Sequence, residues 1–523
     1  MKFRSTLAVS ALALGLAGAA SAQQTLVYCS EGSPEGFDPA LYTAGTTFDA
    51  SSHTVYNQLV EFETGTTNVV PGLAESWEVS EDGTQVTFTL REGVQFHSND
   101  MFTPSRDFNA DDVIHTFERQ GGEGSWEYYN AMSMPDLIES IEKVDDMTVR
   151  FNLTRPEAPF IANMAMDFAS IVSAEYAQAM EEAGTPEMVN QQPIGTGPFV
   201  FEDYQTDAVI RYSKNQDYWK SDEPKVDNLV FAITPDASVR LQRLQAGECH
   251  VMPYPNPADV ESIRENDDLD LLEQEGLNVG YLAYNTTQEP FDDPQVRKAL
   301  NMAIDKEAII DVIFGGQAEQ AKNPIPPTMW SYNEEIEDDP YDPEQARQML
   351  EEAGVEDLSM KIWAMPVQRP YNPNARRMAE LIQEDFSEVG VDVEIVSYEW
   401  GEYLERSSAE DRDGAVLLGW TGDNGDPDNF LAVLLGCDGV GGANRAQWCN
   451  EEFDSIVQEA KTVSDQSERA DMYEEAQAIF KEQAPWATIA HSVVFMPVRS
   501  EVEGYIVHPL GGHLFDTVSI NQD

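Results

Sequence analysis

The stretch MKIWAMPVQRPYNPNARRMAELIQEDFSEVGVDVEIV, residues 360–396, contains a strand, a helix and a second strand in direct succession. Its pattern predicts the strands Met360–Trp363 and Val391–Val396, with the helix Asn374–Val389 between them. A further buried-looking strand, Ala415–Trp420, follows. Because alternating strands and helices are typical of α/β folds, we predict an α/β lobe in this half of the chain.

The alternation extends toward the middle of the chain, whereas an earlier segment is different. We predict the strand Val279–Tyr284, followed by one long helix from Asp293 to Phe314. Residues 71–153 instead contain several short β-like runs, including Gln85–Leu90 and Thr148–Leu153. The sequence has no internal repeat and no low-complexity linker, so we predict one compact assembly of lobes.

The composition is strongly acidic. The chain has 523 residues, with 31 Lys and Arg against 94 Asp and Glu, and a formal net charge of −63. Hydrophobic residues make up 41%, which is too many for a disordered acidic polymer. Binding to DNA or RNA needs clustered cations, so the composition excludes a nucleic-acid partner. The acids are spread evenly, and molar salt would screen their repulsion, so we interpret them as an adaptation to a saline compartment.

The first residues have the pattern of a signal peptide. Lys2 and Arg4 precede the apolar run Leu7–Ala20, and Ala20-Ser21-Ala22 supplies the small residues that signal peptidase accepts. No later stretch is long and apolar enough to span a bilayer. We therefore predict cleavage after Ala22 and export of a free soluble protein.

The four cysteines are Cys29, Cys249, Cys437 and Cys449. An even number in an exported chain favours two disulfides, for which three pairings are possible. Proximity in sequence favours Cys437–Cys449, which leaves Cys29–Cys249. Buried free thiols are the alternative, and zinc is less favoured because the sequence contains no C-x₂-C motif.

Catalytic motifs are absent from the sequence. It contains no H-E-x-x-H, G-x-S-x-G, Walker A or G-x-G-x-x-G pattern. The run Asp423–Asp428 is similar to part of a calcium loop but lacks the required Gly and Glu. We therefore predict a protein that is not an enzyme, with no metal and no cofactor.

Several segments resemble the family 5 extracellular solute-binding proteins, which are the receptors of peptide and nickel ABC importers. Those that carry the family resemblance are Gly72–Thr84, Phe88–His97, Asn109–Val113, Gly195–Phe199 and Asp293–Asn301. Others are similar to the dipeptide-binding members in particular: Leu26–Phe37, Met252–Asp259, Trp363–Glu380 and Gly419–Phe430. The similarity covers essentially all of the mature chain.

The resemblance implies an α/β, two-lobed periplasmic binding protein (type II, cluster C) with an extra β-rich domain. Domain I would be discontinuous and comprise residues 23–56, 197–275 and 494–523. Domain II, the β-rich domain, would comprise residues 57–196. Domain III, the second ligand-binding lobe, would comprise residues 276–493. The cysteines lie where this subgroup has its disulfides, in agreement with the pairing above.

The resemblance also implies the site and its ligand. Arg369 would bind the carboxylate of a dipeptide and Asp423 its α-ammonium group. Other positions carried over as ligand-binding residues are Thr43, Pro370, Tyr371, Trp400, Trp420, Thr421 and Gly422. The planar guanidinium of Arg binds both carboxylate oxygens, which fits the role of Arg369. For Trp400 and Trp420, packing in the core is an equally good interpretation.

The function implied is that of a monomeric periplasmic receptor, which closes around a dipeptide and delivers it to an inner-membrane ABC permease. Within the same family, an oligopeptide, haem, 5-aminolevulinate or nickel is the alternative ligand. An exported hydrolase with the same fold is a further alternative, but the sequence supplies no recognisable nucleophile and base for it.

Overall fold

The computed structural model describes residues 23–122, 126–355 and 358–521. The predicted signal peptide, residues 1–22, lies outside these ranges. Across the described residues, no helix combines the length and the apolar character needed to cross a membrane.

The smaller of two mixed sheets has four strands, in the order Thr25–Tyr28, Asn228–Ala232, Val209–Lys214 and Phe199–Gln205. The larger sheet has the order Leu269–Glu275, Trp486–Arg499, Asn278–Tyr284, Ala415–Thr421, Ser359–Trp363 and Asp392–Val396, with Ala318–Gln320 beside Trp486–Arg499. The strand Ser359–Trp363 pairs in parallel with both of its neighbours. The α/β class predicted from this part of the sequence is confirmed.

The long strand Trp486–Arg499 joins separate parts of the molecule. Its first half pairs with Asn278–Tyr284 and its second half with Leu269–Glu275. A β-bridge between Val251 and Val498, and another between Val251 and Tyr28, extend this connection to the smaller sheet. The backbone hydrogen bonding is therefore continuous between the two sheets.

The β-rich segment forms a third sheet. Its four antiparallel strands are, in order, Ala74–Val79, Gln85–Leu90, Thr148–Leu153 and Ile138–Asp145. Phe88 and Phe151 alternate with more exposed residues and bury their rings on one face, as a half-buried strand requires. Two short hairpins pair Val60–Phe62 with Val69–Pro71 and Val502–Glu503 with Ser519–Ile520.

The described α-helices are Gly45–Ala50, Ala110–Gln120, Glu127–Ala131, Met134–Leu137, Phe160–Asn163, Ala174–Ala183, Met188–Gln191, Ala237–Gln245, Val260–Arg264, Pro294–Met302, Lys306–Phe314, Pro343–Glu352, Ala375–Glu388, Trp400–Ser407, Asp428–Leu435, Glu451–Ala460 and Gln466–Gln483. The single helix predicted from Asp293 to Phe314 is wrong, because a break separates Met302 from Lys306. Asp305 accepts a hydrogen bond from the backbone of Ala308 and so begins a new helix as its N-cap.

Buried apolar side chains form three large clusters. The largest contains residues between Leu277 and Ala490, and the second contains residues between Leu59 and Ile194. The third combines side chains from distant segments, mainly residues 26–56, 199–251 and 494–518. The exact boundaries of the three domains stay a prediction.

Both disulfides are present, Cys29–Cys249 and Cys437–Cys449. The pairing favoured by sequence proximity and by the family resemblance is confirmed. The alternatives of free thiols and a zinc site are wrong for these four residues. The first disulfide connects the strand Thr25–Tyr28 to the segment that precedes the β-bridge at Val251.

We expect the midpoint of thermal unfolding to rise as NaCl increases from low to molar concentration. The net charge of −63 makes the compact state repel itself, and molar salt reduces the Debye length to about 3 Å. The buried Arg119–Asp38 pair, with an N–O distance of 2.6 Å, is screened much less and should persist. Differential scanning calorimetry measures this dependence, and a midpoint that stays flat or falls contradicts the interpretation of the acidic surface.

Candidate binding cleft

One large cavity, of about 790 Å³, is lined by the strands Ala415–Thr421 and Trp486–Arg499 of the larger sheet and by helices and loops from both halves of the chain. Its lining comes from segments far apart in sequence, including residues 43–46, 165–167, 367–371 and 510–512. A volume of this size is typical of ligand sites in proteins. The residues that face it therefore determine what the molecule can bind.

Arg369 lies in a loop that is fixed at both ends. Arg369 and Asn372 exchange two backbone hydrogen bonds of 3.2 and 2.9 Å, and Ser492 donates a hydrogen bond of 2.8 Å to the carbonyl of Pro370. The ring of Tyr371 is buried over Gly419, where a Cβ atom would overlap it. These contacts hold the loop in place while the Arg369 side chain stays exposed to the cavity.

The guanidinium of Arg369 lies 5.2 Å from the ring centre of Trp400, within the range of a cation–π contact. Its side chain donates a hydrogen bond of 3.2 Å to the carbonyl of Gln368 and also interacts with the hydroxyl of Tyr371. Among the described residues it forms no ion pair. In a chain with a threefold excess of acids, a cation without a carboxylate partner is available for an anionic ligand.

Asp423 follows the strand Ala415–Thr421 and faces the same cavity. Tyr128 donates a hydrogen bond of 3.0 Å to one carboxylate oxygen, and Asn429 donates one of 3.0 Å to the other. Asn429 also accepts hydrogen bonds from the Asp423 backbone and from Trp420, at 2.9 and 2.8 Å, so the loop is rigid.

No cation in the described part of the chain neutralises Asp423. Burial raises its pKa to about 7, and the nearby charge of Asp167 adds to this, while the hydrogen bonds from Asn429 and Tyr128 oppose it. A carboxylate with hydrogen-bond donors but no cation is suited to receive one from a ligand.

Seven of the nine carried-over ligand residues line the cavity: Thr43, Arg369, Pro370, Tyr371, Trp420, Thr421 and Asp423. Trp400 does not, because it lies behind Arg369 and stacks on Tyr403. Gly422 does not either, because it packs closely against Phe430 and Leu277. The ligand contacts of all nine residues stay a prediction.

A charged group on the cavity wall was missed by sequence reasoning. His53 lies between Asp49 and Asp167, with N–O distances of 3.1 and 3.0 Å. Burial alone would lower the pKa of His53, but the two carboxylates outweigh it and raise the pKa to about 10. The imidazole is therefore charged at neutral pH. Its two ion pairs connect Asp49, in the helix Gly45–Ala50, to Asp167.

No pattern in the sequence could have found this group. Asp49 and His53 are four residues apart, but Asp167 is distant, and acids are so frequent that no single Asp is conspicuous. No cluster of three metal-ligating side chains occurs in the residues that the structure describes.

Two mixed sheets connected by β-bridges, with a cavity lined by the larger sheet and by segments from both halves of the chain, define a two-lobed solute-binding protein. The family model described as bacterial extracellular solute-binding proteins, family 5 Middle, matches residues 68–442. The chain belongs to this family, as the sequence resemblance indicated.

The chain is 54% identical over 525 residues to the dipeptide-binding protein of Escherichia coli (strain K12), with 98% of each chain covered. It is 47% identical over 547 residues to heme-binding protein A of Haemophilus influenzae, with both chains fully covered. Among solved structures, it is similar to the dipeptide-binding protein of Pseudoalteromonas sp. SM9913 in complex with Met-Leu. That match has a TM-score of 0.88 and 40% identity, and covers 95% of this chain and 100% of the other.

Proposed function

We propose that this chain is the exported receptor of an ABC importer for dipeptides. Arg369 binds the carboxylate of the ligand and Asp423 binds its α-ammonium group. The observation that supports this most is that both side chains line one cavity and that, among the described residues, neither has an ion-pair partner. The dipeptide-binding relatives, which match over almost their whole length, support the same assignment.

The two terminal charges of a dipeptide fit two binding residues of opposite charge, the anchors Arg369 and Asp423. In an extended dipeptide the terminal charges are roughly 5–7 Å apart, at ~3.3–3.6 Å per residue. A cavity of about 790 Å³ exceeds what a small dipeptide fills, so it leaves room for varied side chains and for water. Aromatic walls such as Tyr371 and Trp420 suit apolar side chains of different size.

The receptor acts in the periplasm as a monomer after cleavage following Ala22, carries out no catalysis, and transfers its ligand to an inner-membrane permease. Ligand that bridges the lobes favours their closure, and the permease recognises the closed form.

The test is titration calorimetry in molar salt with Ala-Phe, its N-acetyl form, its C-amide form and Ala-Ala-Phe. Tight binding of Ala-Phe that is lost when either end is blocked supports the two anchors. Equal binding of free and blocked forms, or a preference for the tripeptide, overturns the dipeptide assignment.

The affinity for dipeptides is expected to depend on pH through Asp423. Only the ionised carboxylate attracts the ammonium group, and because its pKa is about 7, the affinity should fall by up to tenfold per pH unit below neutrality. Above about pH 8 the peptide amine loses its own proton, so the affinity is highest between these limits. Calorimetry from pH 5 to 9 measures this, and a constant affinity from pH 5 to 8 contradicts it.

Haem is a second candidate ligand, favoured by the similarity to heme-binding protein A. Titration with haemin, followed by absorbance and repeated with saturating Ala-Phe, separates the two. Haemin binding that Ala-Phe abolishes indicates one shared cavity, whereas no change in the haemin spectrum excludes haem as a ligand.

A further inference from the structure

Residues 423–427 form the loop that carries the proposed ammonium anchor, and this anchor loop contacts the predicted β-rich domain. Asn424 donates a hydrogen bond of 2.7 Å to the side-chain oxygen of Asn163, and both side chains are buried. Gly425 lies so close to Thr67 that a Cβ atom on the glycine would overlap the threonine side chain. Two separate segments of the β-rich domain therefore pack against the anchor loop.

A buried group of charges continues this contact beyond the anchor loop. Lys461 lies 3.3 Å from Glu157 of the β-rich domain and 3.8 Å from Asp428, the first residue of the helix that follows the loop. The Lys461 side chain is 11% exposed, and the two carboxylates are 2% and 6% exposed. The backbone N–H of Ala158 also donates a hydrogen bond of 2.6 Å to the carbonyl of Lys461. Charges buried to this degree are screened little by salt, so molar salt leaves the contact intact.

The contact with the β-rich domain also fixes the shape of the anchor loop. The side-chain oxygen of Asn424 accepts a hydrogen bond of 3.0 Å from the backbone of Asp426, and Arg469 binds the Asp426 carboxylate at 2.7 Å. Asn424 therefore bonds to the loop backbone through its oxygen and to Asn163 through its amide nitrogen. Because Asp423 is the neighbouring residue, its position depends on where the β-rich domain holds Asn424.

The interface between the β-rich domain and the lobe of residues 276–493 is mostly polar. Within the described ranges, Val433 is the one partly buried apolar side chain that packs against both of the two largest apolar clusters. The β-rich domain is instead held to the N-terminal segment by Arg119, which binds Asp38 through two hydrogen bonds of 2.6 and 2.8 Å. Interfaces between domains separate readily unless they are large and apolar, so the contact with the anchor loop is the one that can open.

We propose that the β-rich domain is the docking surface for the anchor loop, and that Asn163 and Glu157 are positioning residues that bring Asp423 to its binding position when the lobes close. This rests on the proposed function. None of the docking residues Asn163, Glu157, Asn424 and Lys461 lines the cavity. A ligand that holds the lobes closed forms these contacts, and by reciprocity the contacts increase the affinity for the ligand without touching it.

The first experiment follows hydrogen exchange by mass spectrometry in the wild-type protein, with and without saturating Ala-Phe in molar salt. The amide of Ala158 bonds to the carbonyl of Lys461, so its exchange reports docking directly. We expect this exchange to slow at least about tenfold when Ala-Phe binds. The control is the amide of Leu153, which bonds to Thr84 within the β-rich domain at 2.7 Å and should stay unchanged. Equal protection of Ala158 in both states means a permanent contact and overturns the proposal.

The second experiment is a double-mutant cycle with Asn163→Ala and Asn424→Ala. Each variant should bind Ala-Phe about 3- to 10-fold more weakly, and the double variant no more weakly than Asn424→Ala alone, because the shared hydrogen bond is already lost. In the ligand-free protein the two substitutions should affect urea unfolding additively, since the loop is undocked there. The matched control is Asn152→Ala, which removes hydrogen bonds within the β-rich sheet and should leave the affinity unchanged.

A purely structural contact gives the opposite result. It couples the two positions in the unfolding of the ligand-free protein and leaves the affinity for Ala-Phe unchanged, and this outcome overturns the positioning role of Asn163. If Ala-Phe does not bind to the wild-type protein at all, the proposed function itself is wrong.

Discussion

Replacing Arg369 by Met is expected to remove most of the affinity for dipeptides. The variant keeps the apolar stem of the side chain but leaves the ligand carboxylate without a cation in the cavity. Truncating one partner of such a charge pair costs about 2–5 kcal/mol, which corresponds to a loss of roughly 30- to several-thousand-fold. Calorimetry with Ala-Phe measures the loss. The variant Arg369→Lys should bind with intermediate affinity, because its ammonium group keeps the charge but cannot bind both carboxylate oxygens as the planar guanidinium does.

The control for this prediction is Arg376→Met on the adjoining helix Ala375–Glu388. Arg376 is exposed and 3.3 Å from Glu380, so its removal should change neither binding nor stability noticeably. The thermal unfolding midpoint of Arg369→Met should match that of the wild type, since Arg369 forms no described ion pair. An affinity within threefold of the wild type would remove Arg369 from the site.

Replacing Asp423 by Asn is expected to abolish recognition of the α-ammonium group and yet to increase the stability of the ligand-free protein at pH 8. The loss in affinity should again be about 2–5 kcal/mol. The gain in stability follows from the sign of the pKa shift. In the folded state the pKa is about 7, above the ordinary 3.8, so the ionised carboxylate destabilises the fold at pH 8.

Asn cannot ionise. Its one amide oxygen can still accept the hydrogen bond from Tyr128, while the hydrogen bond that Asn429 donates to the other carboxylate oxygen is lost. The stability difference between Asp423→Asn and the wild type should therefore be smallest near pH 4, grow between pH 4 and 7, and then stay constant. Calorimetric melts at pH 4, 6 and 8 test this. The matched control is Asp411→Asn, which replaces an exposed residue and should leave both binding and stability unchanged. Undiminished binding of Ala-Phe by Asp423→Asn, or a lower melting point at pH 8, would contradict the assignment.

Much of the fold could be predicted because the strands have distinct local patterns. The run Val279–Tyr284 is apolar throughout, and the structure buries every one of its residues in a central strand. The break between Met302 and Lys306 was missed, because the apolar spacing continues across it and only Asp305 indicates a new start. A single capping residue within an apolar pattern is a weak signal until its backbone geometry is known.

The candidate site was predictable only in part. Arg369 could be singled out because cations are rare in this chain, and Asp423 because it follows a buried strand in a glycine-containing loop. The selection of both depended on the family resemblance. Asp49, His53 and Asp167 come together only through tertiary structure, and nothing local distinguishes them among 94 acidic residues.

The glycines beneath Tyr371 have a consequence for protein engineering. A Cβ atom on Gly280 would overlap the backbone carbonyl of Tyr371, and one on Gly419 would overlap its ring. Because Gly280 and Gly419 lie on neighbouring strands and have no Cβ atom, the loop that carries Arg369 can pack directly on the sheet. A designer who alters cargo preference for a biosensor can therefore vary the exposed loop positions Pro366 and Gln368, provided that Arg369 and these two glycines are kept.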